Sequence, residues 1–297
     1  MSSAWSWYVT VLSLANILAC VWLIRWTARK RPGDAAASDT TGHEWDGLKE
    51  YNNPMPRWWL GLFYITIVFA LGYLLLYPGL GNFKGLLGWT QEGAHEAEVQ
   101  AVERDVAPLF ARYAAMPIPQ LAQDAAAMAT GRRLFVTNCA VCHGDDGHGS
   151  RGFPNLADTT WQWGSTPEQI EQTITHGRMA MMMAWGAALG EDGVKAVAAY
   201  VRSLGGHAGE PALIAAGQEK YQTFCIACHG TDGKGNPMLG APDLTDDYWL
   251  YGGSDQTIQT TIRDGRQGVM PAQKDLLSAE RIHVLAAYVY SLSHEQP

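Results

Sequence analysis

The chain has 297 residues, a formal net charge of −8 and five cysteines. Its charge is uneven: six Lys/Arg and five Asp/Glu precede Lys84, whereas 15 Lys/Arg and 24 Asp/Glu follow from Lys84 onward, or −9 with His neutral. This acidic balance gives no footing for nucleic acid, whose phosphates call for a basic surface.

Two apolar stretches come first. Trp5 to Ile24 contains Thr10, Asn16 and two serines, and Arg25, Arg29, Lys30 and Arg31 follow it at once. Trp58 to Tyr77 is uncharged over 20 residues, long enough to cross a bilayer, with Trp and Tyr at both ends as interfacial belts. The segment Arg25–Arg57 carries six Lys/Arg, and none precedes Trp5. The positive-inside rule then puts a loop over 28–56 in the cytoplasm, and the N-terminus and everything past Tyr77 on the other side. A cleaved signal peptide is an alternative for the first stretch. It lacks a basic leading region, and its basic residues come after the apolar run, so an uncleaved anchor fits better. Ile17-Leu-Ala-Cys20 is faintly like a lipoprotein cleavage box, but the same missing region makes Cys20 a small apolar membrane residue.

A Gly-rich exit leads to Glu92–Met116, which is charged, Ala-rich and expected to be helical. Beyond it the chain repeats itself. GRRLFVTNCAVCHG from Gly131 answers GQEKYQTFCIACHG from Gly217, 86 residues on. PNLAD (154–158) answers PDLTD (242–246) and HGR (176–178) answers DGR (264–266), now 88 residues on; AAYVRSL answers AAYVYSL. The two C-x-x-C-H runs, Cys139-Cys142-His143 and Cys225-Cys228-His229, are attachment signatures of c-type haem. One helical turn brings both thiols to one side for two thioethers and carries the following His to the iron. A redox dithiol does not call for a following His twice, and a zinc site would want both pairs to converge on one metal. The residues thus point to two covalently bound c-type haems, a cofactor attached outside the bacterial cytoplasm, in agreement with the charge argument. Modules of about 80 residues have little core of their own, and an apolar haem supplies the missing buried surface. Each reads as a helix ending in C-x-x-C-H, a Gly/Pro loop, a short helix, a Met-bearing loop and a last helix. The last helices are marked by Val194, Val197, Ala198, Val201 and Leu204, and by Ile282, Leu285, Ala286, Val289 and Leu292. Tyr200 and Tyr288, at equivalent positions, are expected to pack against the first helix.

The sixth ligand separates an electron carrier from a catalyst. Met270, in DGRQGVMPAQK, offers a soft thioether that favours ferrous iron. In HGRMAMMMAWG, register on Gly177-Arg178 against Gly265-Arg266 sets Met182 opposite Met270. Met179, Met181 and Met183 compete with it; their other reading is core packing or a soft lining of the haem edge. His176 is a rival ligand but aligns with Asp264, and His148 aligns with Lys234 as a solvated loop residue; His43, His95, His207, His283 and His294 have no equivalents suggesting ligation. Met182 could serve the second haem and Met270 the first, because two similar modules packed face to face can exchange such ligands.

The module pattern resembles the class I cytochrome c fold. The whole chain resembles one family, the dihaem subunit III (CcoP or FixP type) of cbb3-type cytochrome c oxidases. The sharpest piece is GHEWDGLKEYNNPMPRWW, residues 42–59, with GWTQ (88–91) beyond the anchor. Many members carry one anchor, and the stretch from Trp5 to about Trp26 is an extra one; the family's Met-Pro after the first haem is Met182-Met183 here. The resemblance implies an all-α chain with two N-terminal transmembrane helices and two tandem class I cytochrome c domains. The expected divisions are 1–27 and 57–80 for the helices, 28–56 for the loop, 81–125 for a partly helical linker, and 126–206 and 207–297 for the haem domains. It implies an inner-membrane subunit with periplasmic haem domains. That subunit would take electrons from soluble or tethered c-type cytochromes and pass them to a monohaem subunit and a haem–copper catalytic subunit, where oxygen is reduced to water and protons are moved. The chain has no six-His haem–copper set, so its expected part is electron transfer. A free membrane-anchored dihaem shuttle and a dihaem peroxidase are the alternatives. The acidic haem half could steer a basic partner, and ordinary solubility explains it as well.

Overall fold

The computed structural model describes residues 1–29, 40–51 and 55–294. Lys30, Arg31 and the Asn52-Asn53-Pro54 part of the 42–59 signature lie outside the described residues. The chain divides into two units, residues 1–105 and 106–297.

The first unit holds helix α1 (Ser3–Thr27), strands β1 (Thr40–Trp45) and β2 (Leu48–Tyr51), and helix α2 (Arg57–Leu76). Both helices are long and apolar enough to cross a membrane. Neither buries a residue in protein, so their apolar surface is suited to lipid rather than to a core. The last carbonyls of α2 are not left bare: Leu86 N and Leu87 N donate to Leu75 O and Leu76 O at 2.9 and 3.0 Å. The expected loop contains a hairpin. Asp46 and Gly47 both take positive φ, 47° and 82°, which suits the tight turn that joins two antiparallel strands.

Helix α3 (Gln91–Ala114) leads into the second unit, which continues through α4 (Ile118–Leu121), α5 (Ala125–Asn138), α6 (Ala140–His143), α7 (Pro167–His176), strand β3 (Arg178–Met182) and α8 (Gly186–Leu204). It is completed by α9 (Pro211–Phe224), α10 (Ile226–His229), α11 (Asp255–Asp264), strand β4 (Arg266–Met270) and α12 (Ala279–Ser293). Local signals set several starts. Asp124 caps α5 by accepting from Ala126 N and Ala127 N, and Thr166 and Gln169 form a capping box at the start of α7, with Pro167 as its first residue.

The helices pair across the repeats. Helix α5, first of the first repeat, packs on α12, last of the second; α8, last of the first repeat, packs on α9, first of the second. One apolar core gathers Phe135, Ile170, Ile174, Ile282, Leu285 and Tyr288, with Leu121 and Tyr113 from the approach. The other gathers Val194, Val197, Tyr200, Val201, Tyr221, Ile258 and Ile262. Tyr288 therefore meets Phe135, ring centroids 5.3 Å apart, and Tyr200 meets Tyr221 at 5.1 Å. Each tyrosine packs on the first helix of the repeat to which it does not belong.

The chain is mostly helical but not all-α. Besides β1–β2, strands β3 and β4 form an antiparallel ribbon with Arg178 paired to Met270, Ala180 to Gly268 and Met182 to Arg266. Gly177 and Gly265 produce it. Each ends a helix with φ near +70° and ψ of −179°, a conformation essentially restricted to glycine. A Cβ at Gly177 would overlap the carbonyl oxygen of Met270, and one at Gly265 that of Met182. The two strands thus cross where only glycine lets them approach.

Candidate functional site

Each C-x-x-C-H run forms a single turn at the end of a longer helix. Cys139 closes α5 and opens α6, and His143 N donates to Cys139 O at 3.0 Å. Cys225 closes α9 and opens α10 in the same way, with His229 N to Cys225 O at 3.0 Å. The loops that follow are built alike. Gly149 N donates to His143 O at 2.7 Å and Gly235 N to His229 O at 2.9 Å, while Leu156 N and Leu244 N fold back on Gly147 O and Gly233 O, both at 2.7 Å.

Those loops orient the histidines. His143 Nδ1 lies 3.1 Å from Pro154 O, and His229 Nδ1 lies 3.2 Å from Pro242 O. A carbonyl only accepts, so Nδ1 carries the proton and Nε2 keeps its lone pair for a metal. Burial lowers both imidazole pKa values, against a smaller raising effect of the carbonyl bonds, which keeps the rings in the neutral form that ligates. Burial, then the neighbouring Cys142, pushes Cys139 up to about 11, and burial, then Cys228, pushes Cys225 up to about 11. Such thiols are poor thiolates, unlike those of a redox dithiol. The two pairs also sit in different cores, Cys139 in the Phe135 core and Cys225 in the Tyr221 core, so they do not converge on one zinc.

The methionines are sorted by the ribbon. Side chains alternate along β3, so Met182 points inward, whereas Met179, Met181 and Met183 are 69%, 71% and 57% exposed. Met270 is the inward residue at the end of β4. Met270 packs in the core of Cys139 with Leu156 and Trp161. Met182 packs in the core of Cys225 with Phe224, Leu244, Trp185 and Trp249. Each core therefore combines the first cysteine of a C-x-x-C-H run from one repeat with a thioether from the other.

The remaining histidines lie elsewhere. His176 is exposed at the end of α7, and His148 Nδ1 lies 3.1 Å from Asp146 on the surface. His283 has a role that its residue type alone did not signal. Its Nδ1 meets Glu171 Oε1 at 2.9 Å and its Nε2 meets Met116 O at 2.8 Å, tying α12 to α7 and to the segment before α4.

The residues present fit a c-type haem in each core. Two thiols stand on one turn, an imidazole nitrogen is free to bind iron, a thioether comes from the other repeat's strand, and the lining is apolar. Trp161 Nε1 and Arg266 Nη2 are buried donors without an acceptor among the described residues, of the kind that a haem carboxylate satisfies.

Family models match the chain in three places: the N-terminal domain of cytochrome oxidase-cbb3, FixP, over residues 37–84, and cytochrome c oxidase, cbb3-type, subunit III, over residues 126–201 and again over 212–289. The chain is 46% identical to the cbb3-type cytochrome c oxidase subunit CcoP of Rubrivivax gelatinosus, over 98% of this chain and 96% of that protein. It is 43% identical to the subunit FixP of Azorhizobium caulinodans, over 88% and 95%, and 39% identical to the CcoP of Azospirillum brasilense, over 89% and 98%. The two subunit III matches fall on the two sequence repeats, and the FixP match covers the 42–59 signature.

Proposed function

Because this chain belongs to the family of cbb3-type cytochrome c oxidase subunit III, we propose that it is a two-haem electron relay within such an oxidase, with its methionine ligands exchanged between repeats. Cys139 and Cys142 would hold one haem, with His143 and Met270 as its iron ligands. Cys225 and Cys228 would hold the other, with His229 and Met182 as its iron ligands. The observation that carries this reading is that Met270 packs against the same core as Cys139, and Met182 against the same core as Cys225. The haem supplies a one-electron iron couple, and a thioether ligand raises its potential. The protein does the positioning. The carbonyls of Pro154 and Pro242 fix the histidine tautomers, and the ribbon aims one methionine into each pocket. An iron given both a histidine and a methionine would have no open position, which suits electron transfer rather than catalysis.

Met270 is paired with Arg178, four residues before Met182 on β3, which puts the two methionines about 13 Å apart along the ribbon, so the two haems would be neighbours. Electrons enter from soluble or tethered c-type cytochromes and leave to the monohaem subunit and the haem–copper subunit, where oxygen is reduced to water and protons are moved. Helices α1 and α2 anchor the chain in the bacterial inner membrane, with the N-terminus and the haem half periplasmic and the loop 28–56 cytoplasmic; the Lys/Arg of 25–57 support this orientation.

Mild-detergent purification through a tag on this chain tests the reading. Two c-type haems per chain, with b-type haem, copper and oxygen uptake co-purifying, are expected. Two c-type haems without oxygen uptake would leave a shuttle or a peroxidase instead.

A further inference from the structure

The inward face of the β3–β4 ribbon carries two arginines as well as two methionines. Strand register sets Arg178 opposite Met270 and Arg266 opposite Met182, and opposed residues on one face have Cβ atoms about 5 Å apart. Each arginine stays with its own repeat while the methionine four residues later crosses to the other. Arg178 Nε donates to Thr173 Oγ1 on α7 at 2.8 Å, and Arg266 Nε to Thr261 Oγ1 on α11 at 3.0 Å. Each guanidinium is held a second time by stacking, Arg178 4.9 Å over the Trp163 ring and Arg266 4.5 Å over Tyr251. Two such restraints pre-organise a planar fork that matches a carboxylate.

Yet no carboxylate of the described chain pairs with either arginine, and Arg266 Nη2 is buried without an acceptor. Leaving a buried charged donor unpaired is costly. In the Cys139 core, Trp161 Nε1 is a second buried donor in the same condition, packed with Met270. Arg202 Nε is a third, but that residue lies on α8 with its Nη1 3.9 Å from Asp255 and off the ribbon.

We propose that Arg178 and Arg266 bind the carboxylate side chains of the two haems, Arg178 together with Trp161 in the Cys139 pocket and Arg266 in the Cys225 pocket, and that their charges hold both potentials up. The proposal rests on the two-haem reading with exchanged methionines. Reduction adds an electron to the iron, so a fixed positive charge nearby favours the reduced state. Removing it also leaves a buried carboxylate uncompensated, which acts in the same direction. The arginines are positioning residues and touch no reacting atom.

The test is a spectroelectrochemical titration of the full-length subunit in detergent, with haem counted as its pyridine haemochrome. Arg266→Gln is expected to keep two haems per chain and to lower one potential, so that the reduction equilibrium of that haem falls about tenfold, or about 59 mV for a one-electron couple. Arg266→Lys recovers part of the shift, since charge is kept and the fork is lost. The wave that moves is the one moved by Met182→His; Arg178→Gln moves the one moved by Met270→His. Two haems retained with both potentials unmoved in both Gln variants would overturn the proposal. If Arg266→Gln moves the Met270 wave, the exchange of methionines fails instead. A wild-type count other than two haems per chain overturns the underlying reading by itself.

Discussion

Pairing of helices across the repeats can be tested by a double-mutant cycle on residues 153 positions apart, Phe135 on α5 and Tyr288 on α12. Phe135 is fully buried, and its ring centroid lies 5.3 Å from that of Tyr288 at 53°. Phe135→Leu keeps an apolar residue in place and removes the ring; its cost is about 1–2 kcal/mol from reshaping the core and losing the aromatic pair. Tyr288→Leu costs about as much. If the rings touch, the double variant loses less than the sum, and the difference is the coupling of the pair, about 0.5–1.5 kcal/mol. Phe135 with Tyr200 is the control. Tyr200 belongs to the same repeat as Phe135 and would be its partner in two self-contained modules, but it packs in the other core, 5.1 Å from Tyr221. That cycle should close to within about 0.5 kcal/mol. The assay is guanidinium unfolding of the full chain in detergent, followed by far-ultraviolet circular dichroism and haem absorption. Coupling between Phe135 and Tyr200 of about 1 kcal/mol, with none between Phe135 and Tyr288, would refute the exchanged packing.

Gly177→Ala is expected to destabilise the haem half by about 1–3 kcal/mol from its backbone conformation alone, with a further loss because the new Cβ meets the Met270 carbonyl; a wild-type unfolding midpoint would refute the crossing. Under limited peroxide, Met179, Met181 and Met183 should convert to sulfoxide before Met182 and Met270, because only the outward residues of the strand are exposed; peptide mass mapping reads the order, and early oxidation of Met182 would contradict its inward placement. His283→Ala removes the bonds to Glu171 and to Met116 O and should cost about 2 kcal/mol, with proteolytic cleavage near Met116 appearing first; unchanged cleavage would mean that the bonds do not hold the segment.

What could be read from the sequence and what could not divide along one physical line. The C-x-x-C-H runs were legible because their chemistry is local: three residues of helix decide where two thiols and an imidazole stand. Met182 was legible as the partner of Met270 because two repeats share one register. The identity of the haem that each methionine faces is a property of the repeats as a pair, and there the same similarity hides the answer. Gly131 and Gly217 are equivalent and so are Tyr288 and Tyr200, so α5 offers the same seat to α8 as to α12. The asymmetry lies in the connections. Only residues 205–210 separate α8 from α9, and so short a link favours sequential helices as neighbours. Once α8 is taken by α9, α12 must return to α5, and β3 and β4 are drawn past one another to follow their helices. The strands themselves were hidden because HGRMAMMMAWG is apolar at nearly every position and shows no alternation, while DGRQGVM is interrupted by glycine. The Gly-Arg pairs were visible as register marks only. Their meaning depends on the crossing: it puts Arg178 opposite Met270 and Arg266 opposite Met182, so that each arginine faces a thioether from the other repeat, a juxtaposition that neither repeat shows by itself.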